Sequence, residues 1–466
     1  MMKMNSAGVL LAGAFLAISG LWAQAADWKA GLARVDITPK GPIWQFGYAD
    51  RRRPSRGVMH PLWAKALAIA DTDGRRVVIV TTDLPGWPAA LADAVCKRAG
   101  ERTGLKRAQI VLNASHTHCG QLLEGLLTPG YRALVPPGEM KIVEAYTQEL
   151  EERIVELIAA CADLRPARLA YTEDTCDLGA NRRKIRYNED GAPWYAGVAI
   201  NPDGPFDDIV PVLRVSDEED KPLALLFGYA CHNTTFWPID QLNGDYAGFA
   251  QIALEKKYPG VQAMFMMGCG GDANPKERAG DYNIHVGKQT GDRLAASVER
   301  ALAKPLHPLR PGPISAVLDR VELPFARPVT KEQLEAKRGQ GNKFEQARTE
   351  YLLEWTAKHG EPPKGYPAPV QVVRLGEDLL LVALPGEPSA GYALRLRKEF
   401  PNRRLWIAGY CNDLFGYLCT ERQLVEGGLE AGASQVYWGW PSRWADGVED
   451  RIIGLVKTLI ARCEAP

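Results

Sequence analysis

Two histidines that stand two residues apart follow directly after an apolar run of the chain. The run is residues 110–112, and the segment His116-Thr117-His118 comes four residues later. If the run is a strand, side chains two residues apart point to the same face. We therefore expect both imidazoles in one small volume where the strand ends. Such a pair suits a metal site or an acid–base pair, and apolar packing does not require it.

Polar residues that packing does not require also follow other apolar runs. They are His232, Asn274 in the segment Gly271-Asp272-Ala273-Asn274, Glu387, and Tyr417 shortly after Asn412-Asp413. Ligands of open α/β sheets bind at the carboxyl ends of strands, so these ends are expected to share one cleft. Two histidines and one glutamate form a common catalytic zinc set with an open position for water. A single buried histidine, by contrast, more often only satisfies hydrogen bonds.

The spacing of apolar residues predicts an α/β fold, with a mixed sheet core, βαβ units and flanking helices. The run 77–80, the helical spacing of 89–102 and the run at 110 together predict a βαβ unit. Further strands are predicted at 31–39, 64–70, 210–215, 224–229, 263–267, 370–373, 378–383 and 404–408, and further helices at 146–162, 246–257, 289–303 and 447–462.

Two segments lack a core-forming pattern. Residues 177–205 are rich in charge, Gly, Asn and Pro, which predicts a long loop. Residues 330–363 are highly charged and have helical spacing, which predicts an exposed insertion. Its simplest interpretation is a solvated helical pair without a direct role.

The balance of charge excludes one class of partner. The chain of 466 residues has 56 basic and 56 acidic side chains, so nothing favours electrostatic binding to nucleic acid. Lys3, an apolar run over 9–22 and Ala23-Gln24-Ala25 are typical of a signal peptide cut before Ala26. The alternative, a membrane anchor, needs about 20 apolar residues. We predict a signal peptide at 1–25, export to the periplasm or the extracellular space without a stable anchor, and a single mature domain over 26–466.

The nine cysteines are an odd number and contain no Cys-x-x-Cys pair, so buried packing thiols are the favoured interpretation. A cysteine nucleophile remains open at Cys119, which follows His118, and at Cys269. The chain has no Gly-x-Ser-x-Gly elbow and no His-Glu-x-x-His helix. A serine hydrolase and a helical zinc protease are therefore not favoured.

These motifs, in this order, resemble the neutral/alkaline non-lysosomal ceramidase family in its N-terminal catalytic domain. The resemblance covers nearly all of the mature chain. It is carried by the segments 31–39, 115–118, 210–214, 244–245, 271–272, 385–387 and 412–417, together with His232.

The resemblance implies a zinc amidase of the kind that cleaves the N-acyl bond of ceramide. Carried over residue by residue, it implies the zinc ligands His116, His232, Glu387 and Tyr417. It implies that His118 is the acid–base group and that Arg182, in an Asn-Arg pair, lines the site and binds an oxyanion or a substrate carboxylate.

Three positions depart from the family pattern. Asn274 stands where the family has a serine proposed to act in catalysis, Leu429 where it has a second active-site tyrosine, and Cys119 where it usually has a serine. The family's C-terminal immunoglobulin-like domain is not expected in this chain. The metal set is retained, whereas the substrate is expected to differ from ceramide.

We therefore predict a zinc-dependent hydrolase that cleaves an N-acyl amide by metal-activated water, with ester cleavage a lesser alternative. The substrate would be a small N-acyl compound, either a lipid or a polar conjugate. Asn274 would donate a hydrogen bond to it, and Asp245 and Asp272 would orient the histidines. The sequence carries no signal for an oligomeric state.

Two alternatives remain open. One is a cysteine-dependent amidohydrolase. The other is a non-catalytic zinc- or ligand-binding protein on the same scaffold, which the residues at positions 274 and 429 motivate.

Overall fold

A computed structural model describes residues 28–278 and 283–465. The predicted signal peptide lies outside the described residues. The strands are β1 (Trp28–Asp36), β2 (Gly57–Val58), β3 (Trp63–Ala70), β4 (Arg76–Thr82), β5 (Ile110–Ala114), β6 (Arg165–Thr175), β7 (Gly179–Tyr187), β8 (Pro193–Asn201), β9 (Ile209–Ser216), β10 (Pro222–Tyr229), β11 (Gln241–Leu242), β12 (Gln262–Met267), β13 (Ala273–Pro275), β14 (His307–Pro308), β15 (Ser315–Pro324), β16 (Gly365–Leu375), β17 (Leu379–Ala383), β18 (Glu387–Pro388), β19 (Leu405–Ala408) and β20 (Tyr417–Leu418).

The helices are α1 (Ala89–Thr103), α2 (Thr128–Arg132), α3 (Pro137–Ala160), α4 (Asp245–Lys257), α5 (Ile284–Ala303), α6 (Lys331–Lys337), α7 (Lys343–His359), α8 (Ala390–Glu399), α9 (Glu421–Glu426), α10 (Gln435–Trp438) and α11 (Val448–Glu464). A π-helical turn, Leu429–Ala433, precedes α10. Among the described residues, none of the helices has the length and apolarity needed to cross a bilayer.

The larger sheet is mixed, in the order β12-β10-β9-β6-β1-β3-β4-β5, with β14 paired to β6. Its strands β4 and β5 are parallel and are joined by α1, which confirms the predicted βαβ unit. The strands β10 and β12 are also parallel, and α4 lies between them in the chain. Parallel neighbours need such crossovers, and the remaining pairs are antiparallel.

A second sheet has the order β15-β16-β17-β19. The predicted pair at 370–383 is the antiparallel hairpin β16–β17, and β17 pairs in parallel with β19. Side chains from both sheets form one buried apolar cluster, to which Leu67 and Met264 contribute from the first sheet and Val373 and Trp406 from the second. The two sheets therefore pack face to face, with helices outside them, and the predicted α/β class is confirmed.

The side chain of Asn113, the second-last residue of β5, joins three strand ends. Its Nδ2 donates to the carbonyl of Gly409 at 2.8 Å, just after β19. Its Oδ1 accepts from the backbone N–H of Met267 at 2.9 Å, at the end of β12. The backbone N–H of Gly409 in turn donates to the carbonyl of Met267 at 3.0 Å. These bonds hold the carboxyl ends of β5, β12 and β19 side by side across both sheets.

The predicted loop at 177–205 is wrong, because β7 and β8 form an antiparallel hairpin there. The register shifts twice, between Asn181 and Arg183 and between Lys184 and Ile185. The buried stretch of β7 carries Arg182 and Arg183 instead of apolar residues. Because paired charges replace the usual apolar alternation, the segment does not have the pattern of a strand.

Asp413 supplies a buried carboxyl that couples stability to pH. It is 2% exposed and its Oδ2 accepts from the Tyr366 hydroxyl at 2.6 Å. Burial raises the pKa of Asp413 to about 7 from an ordinary value of 3.8. Between about pH 4 and pH 7 the unfolded chain releases a proton that the native protein keeps. Stability therefore falls as the pH rises through this window.

We expect Asp413→Asn to remove this loss, because an amide does not ionise and still accepts from Tyr366. Urea unfolding at pH 4.5 and at pH 8 measures it. The free energy of unfolding of the variant, relative to that of the native protein, should rise by about 3 kcal/mol between pH 4.5 and pH 8. Asp203→Asn, at an exposed position, is the control. If the unfolding free energies of the variant and the native protein differ by the same amount at both pH values, the raised pKa of Asp413 is contradicted.

Candidate active site

His116 and His118 lie beyond the strand, since β5 ends at Ala114. His116 has a left-handed backbone, with φ of 59°, which is uncommon for a residue with a side chain. Its N–H donates to the carbonyl of Leu84 at 2.9 Å, and the N–H of His118 donates to that of Asn233 at 3.2 Å. The rings do meet, with their Nε2 atoms 3.0 Å apart. A turn brings the two rings together. The prediction that both side chains project from one face of a strand is therefore wrong.

Backbone carbonyls orient two of the imidazoles. His116 Nδ1 lies 2.6 Å from the carbonyl oxygen of Pro85, and His232 Nδ1 lies 2.7 Å from that of Gly270. A carbonyl only accepts, so each Nδ1 carries the proton and each Nε2 keeps a free lone pair. Metal-binding histidines have this arrangement.

The prediction that Asp245 and Asp272 orient the histidines is wrong. The carboxylate of Asp245 accepts from the backbone N–H groups of residues 235, 236 and 246. That of Asp272 accepts from the N–H of Ala390 and from the amides of Asn181 and Gln423. Both carboxylates fasten loops around the site.

The Glu387 carboxylate faces both free lone pairs. Its Oε2 lies 3.3 Å from His116 Nε2 and 3.1 Å from His232 Nε2. Within the described part of the chain, Glu387 Oε2 and His232 Nε2 are buried and have no hydrogen-bond partner. Burial lowers the pKa of His232 to about 4, so that ring is neutral at pH 7.

Converging buried acceptors are costly unless a cation lies among them. Two imidazole nitrogens and a carboxylate oxygen are the donors that zinc takes in proteins. The residues present therefore fit a zinc ion. His118 extends the choice, because one nitrogen from each of His116, His118 and His232 also lies within 4.8 Å of the others.

Tyr417 is brought to the cluster by strand pairing, since β20 pairs in parallel with β18 at Tyr417 and Glu387. Its hydroxyl oxygen accepts from Arg182 Nη2 at 3.1 Å. Arg182 also donates from Nη1 to Asn274 Oδ1 at 3.3 Å and from Nε to Glu430 Oε1 at 3.0 Å. Arg182 thus holds the hydroxyl group of Tyr417, and Asn274 binds the same guanidinium.

Glu430 is a residue of this network that sequence analysis missed. Its side chain is fully buried and binds Arg182 and Arg183 together. Glu426 pairs with Arg183 at 3.1 Å as well. The only signal in the sequence was its position next to Leu429, and its partners lie more than 240 positions away.

A pocket of about 200 Å³ opens above the cluster. His116, His118, Glu387 and Tyr417 form its base. Its walls are mainly apolar and are formed by Phe46, Gly47, Tyr48, Ala49, Leu127, Gly130, Tyr131, Leu134, Phe344, Leu429, Ser434, Tyr437 and Trp438. Of these wall residues, the sequence analysis above names only Leu429.

Gly47 shows why part of the wall escapes sequence reasoning. Its φ is +102°, and a Cβ atom there would lie 2.4 Å from His118 Nδ1. Only glycine lets the loop pass this close to the imidazole.

The charged block at residues 330–363 contributes to the pocket. Phe344 belongs to its helix α7 and lines the pocket, so the block is not merely a solvated helical pair.

The cysteines do not have the properties of nucleophiles. All nine are free and buried. Burial raises the pKa of Cys119 to about 12 and that of Cys269 well above its ordinary value. Because the thiolate is the reactive form, neither residue favours the cysteine-dependent alternative.

The fold and the buried His–Glu cluster define an α/β protein with a metal-type site at its strand ends. Residues 28–286 match the model of the neutral/alkaline non-lysosomal ceramidase N-terminal family. The chain belongs to this family.

Two curated relatives illustrate the similarity. The neutral ceramidase of Drosophila melanogaster is 29% identical over 254 residues, which cover 53% of this chain and 34% of that protein. The chain thus spans about a third of that relative's length. The neutral ceramidase of Mycobacterium tuberculosis is 23% identical over an alignment that covers 87% of this chain and 74% of the relative.

Solved structures share the fold. The crystal structure of neutral ceramidase from Pseudomonas aeruginosa matches with a TM-score of 0.68 at 19% identity, over 93% of this chain and 75% of that one. A ceramidase complexed with C2 matches with a TM-score of 0.67 at 18% identity, over 93% of this chain and 76% of that one.

Burial of the thiols leads to a simple prediction. Iodoacetamide at pH 8 should leave all nine cysteines of the native protein unmodified for hours, and it should label all nine after denaturation. Mass spectrometry of intact protein counts the labels, and peptide mapping assigns them. Rapid labelling of native Cys119 or Cys269 would contradict the buried, protonated state described above.

Proposed function

We propose that this protein is an exported zinc-dependent amidase that hydrolyses an N-acyl amide bond. Family membership supports amide hydrolysis, since its relatives carry the name ceramidase. The signal-peptide pattern at 1–25 supports export. The observation that carries the zinc requirement is the orphaned pair of acceptors, His232 Nε2 and Glu387 Oε2, buried within 3.1 Å of each other.

His116, His232 and Glu387 would hold the zinc ion, with Tyr417 completing the set. Both histidines present the lone pair of Nε2, and Glu387 presents Oε2 between them. When bound, zinc would act as a Lewis acid. It would lower the pKa of its bound water from 15.7 to about 7 and polarise a carbonyl group.

His118 is the residue proposed to move the proton. Its ring lines the pocket, so a bound amide lies within its reach. Its Nε2 is beside the ligand atom of His116, and its Nδ1 has no hydrogen-bond partner among the described residues. We infer that His118 takes a proton from the attacking water and gives it to the leaving nitrogen. A positioned acid–base group of this kind contributes about 10²–10⁴-fold to the rate.

Arg182 is proposed to act through Tyr417. Its guanidinium is buried, and Glu430 balances its charge. By donating to the tyrosine oxygen, it fixes the hydroxyl group at the pocket base and adds positive potential where negative charge develops on the carbonyl oxygen. Asn274 accepts from the same guanidinium, so we infer a positioning role for it in place of the predicted bond to substrate.

Metal analysis together with activity tests the proposal. The purified mature protein should contain about one zinc per chain, and His116→Ala and Glu387→Ala should lose both the zinc and the turnover of N-acyl amides. His118→Gln should keep the zinc and lose about 10²–10⁴-fold in kcat/KM. His307→Ala, at an exposed position, is the control and should match the native protein.

Three results would overturn parts of this assignment. Protein without zinc after zinc-replete preparation would exclude the metal. Bound zinc without turnover on a panel of N-acyl amides and esters would favour the non-catalytic binding protein. Activity that survives a chelator but is lost on thiol alkylation would restore the cysteine-dependent alternative.

A further inference from the structure

The helical hairpin α6–α7, which spans Lys331–His359, contributes one residue to the pocket lining. Phe344, in the first turn of α7, lines the pocket together with Tyr437 of α10. The two rings meet edge to face, with centroids 5.0 Å apart. The pocket base that carries the chemistry comes from strand ends, whereas this end comes from helices.

The helices α2, α7 and α10 pack tightly against one another beside Phe344 and Tyr437. At Gly439, just after α10, an added Cβ would lie 2.7 Å from side-chain atoms of Pro129 on α2 and of Tyr351 on α7. At Gly130 on α2, an added Cβ would lie 3.2 Å from the carbonyl oxygen of Tyr437. Contacts this close leave no room for a side chain at either glycine, so the three helices are packed tightly beside Phe344 and Tyr437.

The hairpin has its own small core and its own caps. Leu334, Leu352 and Leu353 are buried together in one apolar cluster. Capping boxes begin both helices, from Thr330 to Gln333 and from Asn342 to Glu345. Arg132 on α2 pairs with Glu354 on α7 at 2.5 Å. The hairpin is therefore a folded unit attached to the body of the protein.

The pocket that Phe344 and Tyr437 line is small and mainly apolar. Its volume of about 200 Å³ is below the roughly 300–1,000 Å³ of pockets that enclose drug-sized ligands. Leu127, Leu134, Leu429, Phe344 and Tyr437 line it away from the base. An acyl chain is apolar along its length and matches such walls, whereas a leaving amine has to return to water.

We propose that the Phe344–Tyr437 pair sets an upper limit on acyl length, and that the natural substrate is an amide of a short-chain carboxylic acid. This inference rests on the proposed amidase function. The two long chains of a ceramide exceed a volume of about 200 Å³, and Phe344 is the specificity-determining residue at the helical side of the pocket.

A series of amides that differ only in acyl length tests this proposal. The acetyl, butyryl, octanoyl and lauroyl amides of one fluorogenic amine are compared by kcat/KM. The native protein should prefer the acetyl or butyryl amide by tenfold or more over the lauroyl amide. Phe344→Ala should raise the ratio of kcat/KM for the octanoyl amide to kcat/KM for the acetyl amide about tenfold.

Two further variants sharpen the test. Phe344→Leu, a milder change, should shift the preference in the same direction by a smaller factor. Trp355→Ala removes an aromatic ring from the same helix outside the pocket lining, and should leave the length preference unchanged. Equal turnover of all four amides by the native protein, or an unchanged preference in both Phe344 variants, would overturn the proposal.

Binding separates failure of this inference from failure of the amidase function. Calorimetry with His232→Ala measures affinity for the same amides without turnover, and the lauroyl amide should bind more weakly than the butyryl amide. If the native protein hydrolyses none of the amides yet this preference holds, the amidase function fails and the length limit stands. If turnover occurs and affinity rises steadily up to the lauroyl amide, the length limit alone fails.

Discussion

The whole site depends on one hydrogen-bonded joint at Asn113. Its amide binds the ends of β12 and β19 from the end of β5, so three strands of two sheets finish at the same place. Each end then supplies a part of the cluster. The chain after β5 carries His116 and His118, and the chain after β12 supplies the Gly270 carbonyl that orients His232. A buried amide with every bond satisfied specifies one alignment, since any slip would leave its polar atoms unpaired.

Charge balance around the cluster follows from that alignment. The front of the site collects acceptors, with two Nε2 lone pairs around Glu387 Oε2, and so it stabilises a cation. The back collects a guanidinium, Arg182, which faces the Tyr417 oxygen and is matched by Glu430. Removing one member of such a buried set leaves an uncompensated charge, which is more costly than the loss of the contact itself. The two halves therefore depend on each other through Tyr417.

Sequence reasoning recovered what is periodic or chemically distinctive. The βαβ unit, the β16–β17 hairpin and the residues of the His–Glu cluster were predicted, because apolar spacing and rare residue types are local signals. The β7–β8 hairpin was missed, since Arg182 and Arg183 are buried where apolar residues would mark a strand. The pocket walls were also missed, because a wall residue such as Tyr48 or Phe344 acquires its role only when distant segments meet.

The site is divided between strand ends and helical segments. This division explains how the chain can depart from the family pattern at Leu429. The cluster residues lie at strand ends that hydrogen bonds hold in place. Leu429 and Phe344 lie on helical segments that pack on the sheet framework and line only the pocket. A change there alters the pocket and leaves the strand ends aligned, whereas a change at Asn113 would remove the hydrogen bonds that join those ends. The pocket lining can therefore change within this fold while the His–Glu cluster keeps its arrangement.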